Sequence, residues 1–237
     1  DLKKFNSEIK KLENKITLFH AKVVEDIRSN FDLDLIGFHG QTLYHNPQEK
    51  ISCQLGNGSL LSQLSKKKIV FNFRKNDIVN GGEGAPLTPI FHKYLIKSKK
   101  LKLPACVLNI GGISNLTLVR NFKNEEISSK DVGPGNCLIN DWIQNHTNQK
   151  FDSEGKISGR GKINEIILEQ AIENYENNFS KRNNISLDTN DFDISFARGL
   201  SLEDGAATLT AFTAKIISSQ VNTVLDYYGN ENIKIII

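Results

Sequence analysis

With 237 residues, 38% apolar and 24% charged, the chain has the composition of one large globular domain or two lobes with separate cores, which excludes a disordered segment. A formal net charge of +3 and basic runs such as "SKKKI" and "KSKKLK", with no interleaved aromatics, argue against a nucleic-acid partner. Cys53, Cys106 and Cys137 are widely spaced and form no C-x-x-C or Cys/His ligand pattern, so a reduced, cytoplasmic compartment fits best; no apolar run is long enough for a membrane span, and none reads as a signal peptide.

In chain order, residues 6–30 place apolar side chains at mixed spacings of three and four, the pattern of an amphipathic helix. His20 on that helix reads as a packed or surface histidine. "DLIGFHGQT" predicts a short buried strand ending in a glycine turn, "KISCQLG" a second strand, "GSLLSQLSKK" a helix and "KIVFNF" a third strand. The next stretch, "NDIVNGGEGAPLTPIFHKYL", sets an acid, a Gly-Gly-x-Gly turn and two prolines before a helix, with Pro86 expected near its first turn. So many special residues in a short connection point to function rather than to a plain turn.

Downstream, "LPACVLNIGGISNLTLV" predicts a fully apolar strand turning at Gly111-Gly112 into an alternating one. "DVGPGNCLINDWIQNH" predicts a glycine-rich loop entering a helix. Helices are expected over "KINEIILEQAIENYENNF" and "SLEDGAATLTAFTAKIISSQVNTVLDYY", a polar loop over "KRNNISLDTNDFDISFARG", and a last strand in "NIKIII". Interleaved strands and helices give an α/β class, with lobes 1–103 and 104–237 dividing near Pro104.

Three groups of residues carry candidate chemistry. His39, Gln41 and Thr42, delivered by a strand end, suit hydrogen bonding to a polyhydroxylated ligand. Asp77, after a strand end and before Gly81-Gly82-Glu83-Gly84, suits a general base, and Arg74 either holds an anionic group or pairs with Asp77. The loops "LNIGGISNLT" and "DVGPGN" put Asn109, Gly111, Gly112, Asn115, Asp131, Gly133, Gly135 and Asn136 near one another. Their exposed backbone N–H groups suit phosphate oxygens, and Asp131 suits the orientation of a metal-bound water.

The series "IGFHGQTLYH", "FRKNDIVNGGEGAPLTPIFH", "LNIGGISNLTLV", "DVGPGNCLINDW", "SLDTNDF" and "LSLEDGAATLTAFTA" resembles, in order and spacing over nearly the whole chain, the anhydro-N-acetylmuramic acid kinases. The resemblance implies a two-lobed actin-like (ribonuclease H-like) ATPase fold. It also implies a cytoplasmic reaction of peptidoglycan recycling, in which 1,6-anhydro-N-acetylmuramic acid, ATP and water give N-acetylmuramic acid 6-phosphate and ADP, with Mg2+ as the accompanying ion and no assigned metal ligand. By the same resemblance Asp77 aligns with the acid that activates water at the anomeric carbon, and Gly82, Glu83 and Gly84 line the sugar. His39, Gln41, Thr42 and Arg74 become candidate sugar and lactyl-carboxylate contacts, and the Gly111 and Gly133–Asn136 loops a phosphate-binding region. The family usually has glutamine at the position of Glu83, so this chain adds a carboxylate near Asp77. The family tends to dimerise, so a homodimer is expected. No counterpart of its phosphate- and magnesium-binding opening segment precedes Asp1, and no adenosine loop follows "NIKIII", so the chain reads as truncated at both ends. The alternative reading is a non-catalytic sugar-binding fragment lacking the nucleotide segments. A phosphate-loop hydrolase is disfavoured because no G-x-x-x-x-G-K-[ST] occurs.

Overall fold

The computed structural model describes residues 2–46, 48–123, 126–179, 187–227 and 233–237. Residues 181–186 of the polar segment and Asn232 of the last strand's string lie outside the described residues. Two compact units result, Asp1–Leu87 and Thr88–Ile237.

The first unit opens with helix α1 (Leu2–Arg28), followed by β1 (Leu35–Phe38), β2 (Gln41–Asn46), β3 (Ile51–Leu55), α2 (Gly58–Ser65), β4 (Lys68–Phe71) and α3 (Phe73–Val79). β1 and β4 pair in parallel, Leu35 opposite Lys68, and β2 and β3 form an antiparallel hairpin. The apolar pattern of α1 is only partly used: Val24 is buried, whereas Leu18 and Phe19 are 54% and 65% exposed. What fastens α1 is polar. The buried Thr17 hydroxyl donates to the Glu13 carbonyl at 2.8 Å and accepts from the Asn57 N–H at 3.0 Å, and the Asn57 side chain caps α2. His20 packs its ring 5.0 Å from that of Phe38.

Three expectations here are corrected. β1 is a largely exposed strand with Phe38 its buried residue, not a buried one, and Gln41 and Thr42 begin β2 instead of ending β1. Asp77 lies in α3, not in a turn after a strand: Asn72, at φ 61, stops β4 in the left-handed region that asparagine tolerates, and the chain coils into a helix.

The second unit comprises α4 (Thr88–Ser98), β5 (Ala105–Ile110), β6 (Ile113–Val119), β7 (Ile127–Pro134), α5 (Cys137–His146), α6 (Glu165–Phe179), α7 (Leu202–Tyr227) and β8 (Lys234–Ile236). Its sheet has the order β7-β6-β5-β8, with β5 antiparallel to β6 and parallel to β8. The sheet is covered on both faces, which explains the unbroken apolar run of β5. On one face Cys106, Leu108, Leu116, Leu118 and Val132 meet Ile217 and Val221 of α7. On the other Ala105, Val107 and Val119 meet Ile96 of α4. Burial pushes the Cys106 thiol up to about 11, so it acts as a small hydrophobe.

Helix α4 therefore belongs with the second unit: its Ile96 is fully buried against β5 and β6, and the division falls after Leu87. Pro86 precedes α4, and Pro89 is the proline within its first turn. The polar positions of β6 do not face water, as plain alternation would suggest. Thr117 is buried, its hydroxyl 2.8 Å from His92 Nδ1 of α4 and 3.2 Å from Ser129 Oγ of β7. "DVGPG" is strand as far as Pro134, so Asp131 and Gly133 sit in β7.

A third cluster packs Trp142 and Ile143 of α5 against Leu168 of α6 and Leu209, Phe212 and Ile216 of α7. The indole N–H donates to the Leu202 carbonyl at 2.9 Å, and the ring lies so close to Gly205 that a methyl there would overlap it. No helix among the described residues is long and apolar enough to cross a membrane.

Two measurements check this packing. Gly205→Ala is expected to destabilise the second unit by about 1–2 kcal/mol in denaturant titration, because overpacking against Trp142 outweighs alanine's helix preference. The buried ring of His92 resists protonation, so its pKa falls below the ordinary 6.5. The unfolded chain takes up that proton more readily, so this stability is present above about pH 6.5 and is lost as pH falls through the folded value. Thermal unfolding followed from pH 8 to pH 5 is expected to show that loss, and His92→Gln to flatten it.

Candidate active site

In the first unit two of the expected residues, Arg74 and Asp77, converge on one backbone position. Gly84 is buried at φ +76, and two charged side chains hold its opposite ends. Asp77 Oδ2 accepts its N–H at 2.8 Å, and Arg74 Nη1 donates to its carbonyl at 3.3 Å. α3 makes this possible because positions 74 and 77, three apart, lie on one helix face. Arg74 and Asp77 form no ion pair with each other. The turn begins as the Gly82 N–H donates to the Asp77 carbonyl at 2.9 Å.

Arg74 also donates its Nε–H to His39 Nε2 at 2.9 Å. A guanidinium can only donate, so the His39 proton sits on Nδ1, which donates to the Gly40 carbonyl at 3.0 Å. His39 therefore acts first as a rest for Arg74. Partial burial draws the Arg74 pKa down from its ordinary value, yet the group stays a cation. Gln41 is exposed, and Thr42 Oγ1 accepts from Gln54 Nε2 at a long 3.5 Å, so neither joins the Arg74–Gly84–Asp77 group directly. Glu83 is exposed at the turn's outer side.

Gly82 lets the Asp77 carboxylate come close: a β-carbon there would collide with it. Gly81, by contrast, has open space where a side chain would begin, though its φ of +91 suits glycine. Asp77 Oδ1 receives no hydrogen bond among the described residues, so one oxygen is anchored and the other is available to take a proton.

One residue of this corner escaped the sequence reading. His45 of β2 lies against Gly84, its Cε1 3.2 Å from where a Gly84 β-carbon would stand. Its pKa is lowered, first by burial and then by the charge of Arg74. The hairpin register, which pairs His45 with Ser52, could have signalled it had "TLYHN" been read as a strand.

The second group gathers in the second unit. Asn109 pairs with Asn115 across the β5–β6 hairpin, Asn115 with Asp131, and Ser114 with Gly133. Gly135 and Asn136 then dock on the hairpin turn, donating their N–H groups to the carbonyls of Gly112 and Gly111 at 2.9 and 2.7 Å. Only glycine fits at 135, where a β-carbon would strike the Gly111 carbonyl oxygen. These two N–H groups are therefore engaged by protein oxygens. Asp131 Oδ2 accepts the Leu187 N–H at 2.8 Å, tethering the segment that leads to Thr189. Among the described residues no cluster of His, Cys, Asp or Glu suited to a metal ion is present.

The family model for anhydro-N-acetylmuramic acid kinase matches residues 4–232, and the chain belongs to that family. It is 53% identical over 239 aligned positions to an anhydro-N-acetylmuramic acid kinase of Pelagibacter ubique, covering 100% of this chain and 64% of that protein. It is 38% identical over 215 positions to proteins of the same name from Methylobacterium nodulans and Zymomonas mobilis, covering 89% of this chain and 56% and 58% of theirs. The chain thus spans less than two thirds of the length of these relatives.

Gly82→Ala is expected to push the Asp77 carboxylate off Gly84 and to speed hydrogen exchange of the Gly84 amide by about tenfold or more. Gly81→Ala is expected to strain the turn while leaving the Gly84 amide more protected than in Gly82→Ala.

Proposed function

We propose that the first unit holds the anhydrosugar of an ATP-dependent anhydro-N-acetylmuramic acid kinase, with Asp77 as the general base. The observation that carries this is the state of the Asp77 carboxylate. Oδ2 is fixed by the Gly84 N–H, Oδ1 is free, and Arg74 is held beside it between His39 and the Gly84 carbonyl. A base needs this combination of fixed direction and an open lone pair.

In the proposed reaction Asp77 takes a proton from water as its oxygen bonds to C1 of the sugar. The C1–O6 bond breaks, O6 bonds to the γ-phosphorus of ATP, and ADP leaves. Arg74 suits the lactyl carboxylate as a charge-assisted donor. Gln41, Thr42, Gly82 and Glu83 belong to the sugar side of the proposal. Asn109, Gly111, Gly112, Asn115, Gly133, Gly135, Asn136 and Asp131 belong to the phosphate side. There the engaged N–H groups of Gly135 and Asn136 give the hairpin turn a fixed shape, and phosphate contact falls to the remaining groups. Mg2+, carried with the nucleotide, would shield phosphate charge; the proposal assigns it no ligand in this chain. The two-lobed actin-like architecture and a cytoplasmic setting complete the reading, supported by family membership and the two α/β units.

Calorimetric titration of the chain with 1,6-anhydro-N-acetylmuramic acid tests it. Saturable binding is expected, weakened about tenfold or more by Arg74→Ala. Asp77→Asn keeps an acceptor for the Gly84 N–H, so sugar affinity is expected to hold while turnover falls about 10²–10⁴-fold. A folded chain that binds no anhydrosugar contradicts the proposal.

A further inference from the structure

Helix α4 buries Pro89, His92 and Ile96 along one side. Ile90, Phe91 and Tyr94 lie on the opposite arc and are 46%, 64% and 58% exposed. Spacings of three and four place Lys97 on that same arc. The turn between β6 and β7 comes up beside it, where the Phe122 ring, 42% exposed, lies 6.0 Å from Lys97 Nζ. Lys93 Nζ sits 5.3 Å from the Tyr94 ring. Exposed aromatics gathered in one patch mark an interaction surface, whereas scattered ones do not.

The charge around the patch has one sign. No aspartate or glutamate occurs from Gly84 to Lys123. Lys97, Lys99, Lys100 and Lys102, at the C-terminal end of the apolar arc, are exposed and form no ion pair among the described residues. At the hairpin, Glu126 is engaged by Arg120 at 3.5 Å. A second copy docked face to face would set these lysines against one another, which like charge opposes. A folded partner needs a groove cut to a convex helix, and a bilayer needs none. Lysines are hydrated point charges that suit the diffuse charge of lipid headgroups better than the fork geometry of a protein carboxylate. Aromatic and aliphatic side chains on such a face are the usual anchors of a helix lying in the headgroup layer.

We propose that the outer face of α4, with Phe122, docks this protein reversibly on an anionic lipid bilayer. Phe91 and Tyr94 enter the headgroup layer while the lysines lie against its phosphates. This is attachment to a surface and not a span, and it is independent of the sugar site.

Cosedimentation with vesicles tests it, using phosphatidylglycerol and phosphatidylcholine in equal parts against phosphatidylcholine alone. The chain is expected to sediment with the anionic vesicles only, and to be released as salt is raised. Phe91→Ser combined with Tyr94→Ser, which leaves the charge unchanged, is expected to weaken binding about tenfold or more. Lys99→Gln and Lys100→Gln are each expected to weaken it about fivefold. Lys10→Gln with Lys11→Gln, on exposed positions of α1, is expected to change it less than about twofold. Phe91→Trp is expected to shift its emission to the blue on anionic vesicles, because Trp142 is buried and gives a constant background. Binding to neither vesicle, equal binding to both, or an unshifted Phe91→Trp emission would overturn the proposal. Equal losses from the α1 pair would reduce it to adsorption by net charge and overturn it too. A tighter hold on poly-L-glutamate or a single-stranded oligonucleotide than on the vesicles would give the face to an acidic protein or a nucleic acid instead. A dimer in sedimentation velocity that Tyr94→Ser dissolves would give it to a second copy, and either result overturns the proposal.

Discussion

The first unit depends on the two-ended grip on Gly84. A glycine held at its N–H by a carboxylate and at its carbonyl by a guanidinium has both of its flanking peptide groups fixed in direction, and it fixes both side chains in return. Each charge is satisfied by backbone and histidine rather than by the other, so the pair is not neutralised as a surface ion bridge. That leaves Asp77 with an unused oxygen and Arg74 with unused donor capacity, both half-buried at the end of a hairpin. A short helix is what brings them together, and Gly82 supplies the clearance their closeness demands.

The second unit achieves rigidity by another route. Its sheet is buried on both faces, so the polar positions of β6 needed partners from neighbouring elements. The chain His92, Thr117, Ser129 provides them across three elements. At one end of this sheet the tip of the β5–β6 hairpin is closed by the carbonyls of Gly111 and Gly112 accepting from the start of α5. Backbone this close is possible only because Gly135 has no side chain. A turn so fixed is rigid before any ligand arrives, which under the proposed function lowers the cost of ordering on binding.

Much of this was legible in the sequence, for identifiable reasons. Long periodic segments such as α1, α6 and α7 declare themselves by spacing, and the doubly buried β5 by its unbroken apolar run. The density of glycine and proline around Asp77 marked the segment proposed as the sugar site. Three elements were hidden: β7, whose end reads as a glycine-rich loop, α3 and β2. "VFNF" has the alternation of one strand, but Asn72 adopts a positive φ and starts α3, a local backbone choice that composition does not reveal. "QTLYHN" follows Gly40 and lacks a continuous apolar face, so β2 is visible only through its pairing with β3. Losing β2 also hid His45, whose significance lies in its cross-strand partner and in the glycine packed on it.

The measurement that bears most directly on the account is a crystal structure of the chain with 1,6-anhydro-N-acetylmuramic acid bound. The account predicts the anomeric carbon facing Asp77 Oδ1, with a water hydrogen-bonded to that oxygen at about 2.6–3.2 Å, the Gly84 N–H still on Oδ2, and the lactyl carboxylate on Arg74. A sugar bound away from Gly84, or with Asp77 Oδ1 turned into the protein, would contradict it.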